Sequence, residues 1–158
     1  MFRELQRKKQ ALDASVCVEL LKNETRGVLS VIGDEGYPYG MPMNHYYHEE
    51  DSCLYFHCGK RGHRIDALGR SQKASFCVFD KGVREEQGWA LTVCSVIVFG
   101  DVEIVTDPEA VSDISKKLSH KFTSDEAYID EEIRKYAAST VLLRLKPLHM
   151  CGKRVQEK

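Results

Sequence analysis

The stretch Gly27-Val28-Leu29-Ser30-Val31-Ile32-Gly33-Asp34-Glu35-Gly36-Tyr37-Pro38-Tyr39-Gly40-Met41-Pro42-Met43-Asn44 decides the fold. Its first six residues read as a strand, Gly33 to Gly36 as a hairpin turn, and Tyr37 to Tyr47 as the returning partner. A chain that opens on a meander does not build a doubly wound parallel sheet, which needs a helix after nearly every strand. Further along, Cys53 to Cys58 is a third strand and Lys73 to Asp80 a fourth. Trp89 to Val105 is one long strand or two joined by a bend at Gly100, and Thr140 to Lys146 is the last, stopped by Pro147.

Helical signals are fewer. Asp13 is placed to cap a helix over Ala14 to Asn23, with Val16, Cys17, Leu20 and Leu21 inward. A short helix is expected over Arg64 to Leu68. Thr106-Asp107-Pro108-Glu109 opens another, with Val111, Ile114, Leu118 and Phe122 at helical spacing. Ser124-Asp125-Glu126 opens the last, with Ile129, Ile133 and Tyr136 on one face. His48 to Ser52 and Lys81 to Gly88 are polar connections. The sum predicts a mainly β fold: a six-stranded antiparallel β-barrel of Greek-key type with peripheral helices.

At 158 residues, with residues 1–12 as an N-terminal extension, the chain is expected to form a single domain. A net charge of −1 provides no field for nucleic acid or a membrane surface, so neither is an expected partner. No run of 18 apolar residues occurs, and the N-terminus has no signal-peptide pattern, so a cytoplasmic location is expected. The six cysteines form no C-x-x-C pair and read as free, buried thiols.

Against this balanced background Leu54-Tyr55-Phe56-His57-Cys58-Gly59-Lys60-Arg61-Gly62-His63-Arg64 stands out. A strand runs into a basic loop with two glycines and then into a helix. Helix N-termini present free N–H groups and the positive end of the dipole, which suits a phosphate. Cations at that end are unfavourable without an anion, so Lys60, Arg61, His63 and Arg64 read as partners of a nucleotide-like phosphate; the alternative is a solvated face.

Other chemistries find little support. His45 and His48, three apart on one strand, point to opposite faces, and the deaminase and H-E-x-x-H patterns are absent, so no metal site is expected. No G-x-S-x-G elbow occurs. Cys58 lies beside a cationic loop that would lower its pKa, or else it simply packs at the strand end.

In their order, these pieces resemble the flavin-binding split-barrel superfamily of pyridoxamine-phosphate-oxidase-like proteins, and within it the nitroimidazole-resistance family. The matching segments run from about Leu12 to Lys153: the Gly27 and Gly36–Asn44 strands, Leu54 to His57 with its loop, Trp89 followed by Ser95 to Gly100, and Gly152-Lys153. The resemblance implies a homodimer with FMN in the groove between subunits. It assigns the phosphate to Lys60, Gly62, His63 and Arg64, with Phe56, His57 and Cys58 leading into the site. Met43 and Asn44 would flank the flavin ring, and Trp89 and Lys153 would line the cleft. Tyr39, Met41, Met43, Tyr55 and Phe56 can supply an apolar slot, or equally the core. His57 would orient or protonate a small-molecule electron acceptor such as a nitroaromatic. The arginine-rich strand and C-terminal substrate motif of true pyridoxamine-phosphate oxidases are absent. The implied function is therefore an FMN-dependent reductase; the alternatives are a non-catalytic flavin carrier or sensor, a haem-binding split barrel, and a structural protein with an empty groove.

Overall fold

The computed structural model describes residues 1–84 and 86–157. Helix α1 (Ala14–Asn23) precedes strands β1 (Arg26–Ile32), β2 (Pro38–Asn44), β3 (Tyr46–His48) and β4 (Cys53–Gly59). Helix α2 (His63–Arg70) leads to β5 (Lys73–Phe79), β6 (Val83–Arg84) and β7 (Leu91–Val105). The helix pair α3 (Pro108–Ser119) and α4 (Glu126–Tyr136) then leads to β8 (Thr140–Glu157). The described residues thus form eight strands, not six, in the order β2-β1-β5-β7-β8-β4-β3, with β6 paired to β7.

The strand order explains the curvature. β2 and β3 are its two ends, yet only His45 separates them in sequence. The antiparallel sheet must therefore curl until its edges approach, giving a split barrel rather than a flat sheet. Inward residues alternate along the strands: Leu29 and Val31, Met41 and Met43, Phe76 and Val78, Val96 and Val98 are all buried. Cys17 and Leu21 of α1 and Ala67 and Leu68 of α2 close the same core. β4 is buried on both faces, because Cys53 and Tyr55 pack under Val111 and Ile114 of α3.

Several local expectations are corrected. The predicted return strand from Tyr37 to Tyr47 is two strands, broken at His45, whose ring turns into the protein. Pro147 does not stop the last strand. It lies just beyond the β4 pairing, which ends at Leu145, and where the β7 register slips between Phe99 and Gly100. An edge or bulge position is where a sheet tolerates a missing N–H. Asp13 precedes α1 without a side-chain cap bond, and Val16 is exposed. The expected start at Ser124-Asp125-Glu126 holds, with Asp125 capping α4 by accepting from the Tyr128 N–H at 3.0 Å. Phe122 lies beyond α3 and is exposed, as is Tyr136. The expected loop over 81–88 contains the short β6, and its Glu85 lies outside the described residues.

All six cysteines are free, but only Cys17 and Cys53 are fully buried. The N-terminal extension lies back on the sheet: Phe2 stacks on His149 at 4.9 Å, and Ala11 bridges to Lys153. Gly152 makes room for this packing, since a Cβ there would lie 2.3 Å from Cys17 Sγ and 2.9 Å from Leu12 Cβ.

Candidate functional site

Strand β4 separates the site residues by alternation. His57, two residues beyond Tyr55, faces α3 and α4, whereas Cys58 packs toward the barrel core with Arg64 close by. The turn after β4 is built on Gly62, whose φ of 117° an L side chain would resist. Gly62 caps α2, so the N–H groups opening that helix have no carbonyl behind them.

A cleft of about 220 Å³ lies over this turn, lined by Tyr39, Cys58, Gly59, Gly62, Arg61 and Arg64 among others. Arg64 Nε donates to Met41 Sδ at 3.0 Å, which holds the guanidinium against the barrel wall. Lys60 and Arg61 are exposed and make no ion pair among the described residues. His63 is held differently: its ring stacks on Tyr39 at 4.1 Å, and Nε2 lies 3.4 Å from Asp34 Oδ2. Arg70 also reaches Asp34, at 2.6 Å. Lys60, Arg61 and Arg64 therefore remain for an anion at a helix start, while Asp34 engages His63 and Arg70. That arrangement suits a phosphate ester.

Cys58 resolves its two readings. Burial pushes its thiol pKa up, and the nearby Arg64 only partly offsets this, so the side chain stays a neutral thiol at pH 7. The loop does not activate it. Of the two readings of the apolar residues, slot or core, burial within the chain favours the core for four of the five. Met41, Met43, Tyr55 and Phe56 are buried core residues, and only Tyr39 is open enough to meet a ligand ring with its side chain. Phe56, fully enclosed, can reach a ligand through its backbone only. Asn44 accepts from Arg26 Nε at 2.8 Å beside the barrel corner.

Trp89 and Lys153 are not brought to the turn within one chain. Gly59 pairs with Thr140, whereas Lys153 lies far along β8 and pairs with Ser95, roughly 40 Å of strand path away. Trp89 precedes β7 at the same distant end, 70% exposed, with its carbonyl accepting from Arg84.

A second cavity, of about 470 Å³, opens between the end of β4 and the α3–α4 pair. His57 lies on its β4 side, and burial pushes its pKa below the ordinary 6.5, leaving it neutral at pH 7. The ring is nonetheless accessible from the groove. The helix pair is fixed by Lys116, which bonds to Glu126 and to Asp130 at 2.9 Å each. Ser115, Tyr128, Glu132 and Tyr136 line this groove and escaped sequence reasoning. One signal was present: Ser115 interrupts the buried stripe Val111, Ile114, Leu118 with a hydroxyl.

His45 also gained importance. It is wholly buried at the β2–β3 corner, with Nε2 donating to the Leu21 carbonyl at 2.7 Å and Nδ1 without a partner. Lys121 Nζ donates to the carbonyls of Glu24 and His45 at 2.6 and 3.1 Å. Burial, with Lys121 adding to it, pushes the His45 pKa down to about 4. Among the described residues no group of three His, Cys, Asp or Glu is placed to hold a metal ion, and no helix is long and apolar enough to cross a membrane.

A family profile described as pyridoxamine 5'-phosphate oxidase matches residues 13–154. No curated protein matches the chain. Solved structures of similar fold include the conserved hypothetical protein Rv2991 from Mycobacterium tuberculosis, 19% identical with a TM-score of 0.79, covering 95% of this chain and 90% of that one. A protein proposed to confer 5-nitroimidazole antibiotic resistance, from Bacteroides thetaiotaomicron, is 23% identical with a TM-score of 0.75, covering 92% and 87%. An FAD-binding protein from Mesorhizobium loti is 22% identical with a TM-score of 0.65, covering 92% and 97%.

Proposed function

The chain belongs to the pyridoxamine 5'-phosphate oxidase family, and on that premise we propose that it is an FMN-binding reductase of small acceptors. The observation that carries the reading is the β4–α2 turn, where Arg61 and Arg64 line a cleft over an open helix N-terminus beside Gly62, with the exposed Lys60 in the same turn. A flavin phosphate fits that set of donors. Relatives of similar fold described as FAD-binding or as linked to nitroimidazole resistance point the same way.

Bound there, FMN would supply the redox chemistry, accepting electrons from an external donor and passing them to an acceptor. The protein's part is to bind and orient. Lys60, Arg61 and Arg64 hold the phosphate, and the α2 N–H groups complete its cradle. Tyr39 offers a ring face beside the cleft. His57, neutral at pH 7, gives the acceptor one N–H donor and one lone pair, so it orients the acceptor and relays a proton without contributing charge.

The homodimer belongs to the same reading. Val28, Cys77, Ile97 and Cys151 stand opposite one another in successive strands on the outer face, with Phe79 59% exposed beside them. Such an apolar row suits a second copy. The same reading gives Trp89 and Lys153, which lie far from the turn within one chain, their cleft-lining role through the second copy.

The test is the absorption spectrum of freshly purified protein, with the released ligand identified by mass. Flavin bands and FMN in the supernatant are expected. A Soret band, or a colourless protein that takes up no added FMN, would refute the reading. Flavin uptake with no turnover of any donor–acceptor pair would favour a carrier.

A further inference from the structure

The 470 Å³ groove between the end of β4 and the α3–α4 pair has a chemistry of its own. Its size suits a small molecule. Tyr128 and Tyr136, both more than half exposed, with Ile133 and Ala137, make apolar walls. His57 and the two tyrosine hydroxyls can donate or accept, but the serine and threonine hydroxyls are mostly committed in one direction. Ser119 donates to the Ser115 carbonyl at 2.8 Å, and Ser139 and Thr140 donate to the Tyr136 carbonyl at 2.9 and 2.8 Å. With those protons spent, the three hydroxyls turn only lone pairs toward a ligand. The Glu132 carboxylate adds another acceptor, with Lys135 3.6 Å away as its partial counter-ion. No lysine or arginine lines the groove.

Ser115 is the exception. It is 9% exposed, lines the groove, and its Oγ has no hydrogen-bond partner. A buried hydroxyl without a partner costs free energy until something bonds to it. Among the groove's described hydroxyls it is the buried donor without an acceptor, whereas the Tyr128 and Tyr136 hydroxyls belong to exposed side chains.

We propose that this groove is a binding site for a small aromatic molecule, neutral or cationic, that carries O–H or N–H donors beside an oxygen able to accept from Ser115. The tyrosines cover the ring, Ser115 donates to the ring oxygen, and Ser119, Ser139, Thr140 and Glu132 accept the ligand's own protons. An anion finds no cation and meets Glu132. The groove is the one His57 borders, so the assignment rests on the proposed function's acceptor site, although its test needs only the groove and not the flavin.

The test uses three phenols that differ in the tail alone: tyramine (cationic), tyrosol (neutral) and 4-hydroxyphenylacetate (anionic). Each is titrated by calorimetry into the full chain, with and without saturating FMN. Tyramine and tyrosol are expected to bind saturably, and the anion about tenfold more weakly or not at all. Ser115→Ala, which a helix accepts readily, should weaken both by about three- to tenfold. Glu132→Gln should weaken tyramine by about threefold and leave tyrosol unchanged. Equal affinity for all three phenols, no binding of any, or an unchanged Ser115→Ala variant would overturn the assignment. Displacement of tyrosol by FMN would overturn it too, since the groove would then belong to the flavin. Failure of FMN itself to bind leaves the phenol result intact and counts against the flavin reading alone.

Discussion

Acid should unfold this protein through one histidine. His45 is sealed at the barrel corner, donates to Leu21 through Nε2, and has Lys121 close by. Its pKa falls from the ordinary 6.5 to about 4. Below pH 6.5 the unfolded chain takes up a proton that the folded chain refuses until about pH 4, so stability falls as pH falls across that window. At about 1.4 kcal/mol per pH unit, this single group removes about 3 kcal/mol between pH 7 and pH 4, a large share of a typical domain's stability. His45→Gln keeps an amide N–H for the Leu21 carbonyl and has nothing to titrate. Urea unfolding of both proteins from pH 8 to pH 4 isolates the effect, because the carboxylates common to both cancel. The wild type should lose about 3 kcal/mol more than the variant over that range. NMR titration of the His45 ring provides a check in the wild type alone. Parallel stability curves, or a ring that titrates near 6.5, would refute the reasoning.

Three further outcomes follow from the packing and the site. Gly152→Ala should lower stability by about 2 to 3 kcal/mol in urea unfolding, because its Cβ would press on Cys17 Sγ and Leu12; an unchanged midpoint would mean that α1 moves aside freely. Arg64→Ala should weaken FMN binding by about 1.5 kcal/mol or more in calorimetry, with riboflavin affinity unaffected. Equal losses for both ligands would relocate the arginine's role from the phosphate to the ring. Substituting His57 by Ala should leave flavin bound while changing acceptor reduction in stopped-flow kinetics, and the dependence of that step on pH should change with it; lost flavin binding with unaltered kinetics would make His57 scaffold.

The parts of the fold set by local chemistry were legible. Alternating apolar residues and a Gly-rich turn marked β1 and β2, and the Asp107-Pro108 start marked α3, where Asp107 does accept from Ala110 N at 2.8 Å. What depended on neighbours was not. Pro147 reads as a stop, and only the end of β4 and the β7 register slip make it tolerable within an 18-residue strand. The break at His45 leaves the polar–apolar alternation almost undisturbed, so one strand and two strands look alike in sequence. Met41, Met43 and Phe56 could have lined a slot or filled a core, and only the curl of the sheet decides for the core. The basic turn was legible because glycines and cations cluster within six residues. The groove of Ser115 and Glu132 was hidden because its walls come from β4, α3, α4 and β8, with only the misplaced hydroxyl in α3 as a trace.

The measurement that bears most directly on the central claim compares FMN with riboflavin on ligand-free protein, by quenching of flavin fluorescence. If the β4–α2 turn holds the phosphate, FMN binds at least about tenfold more tightly, and the difference shrinks as inorganic phosphate or salt is raised. Equal affinity for the two flavins, or no binding of either, would contradict the account.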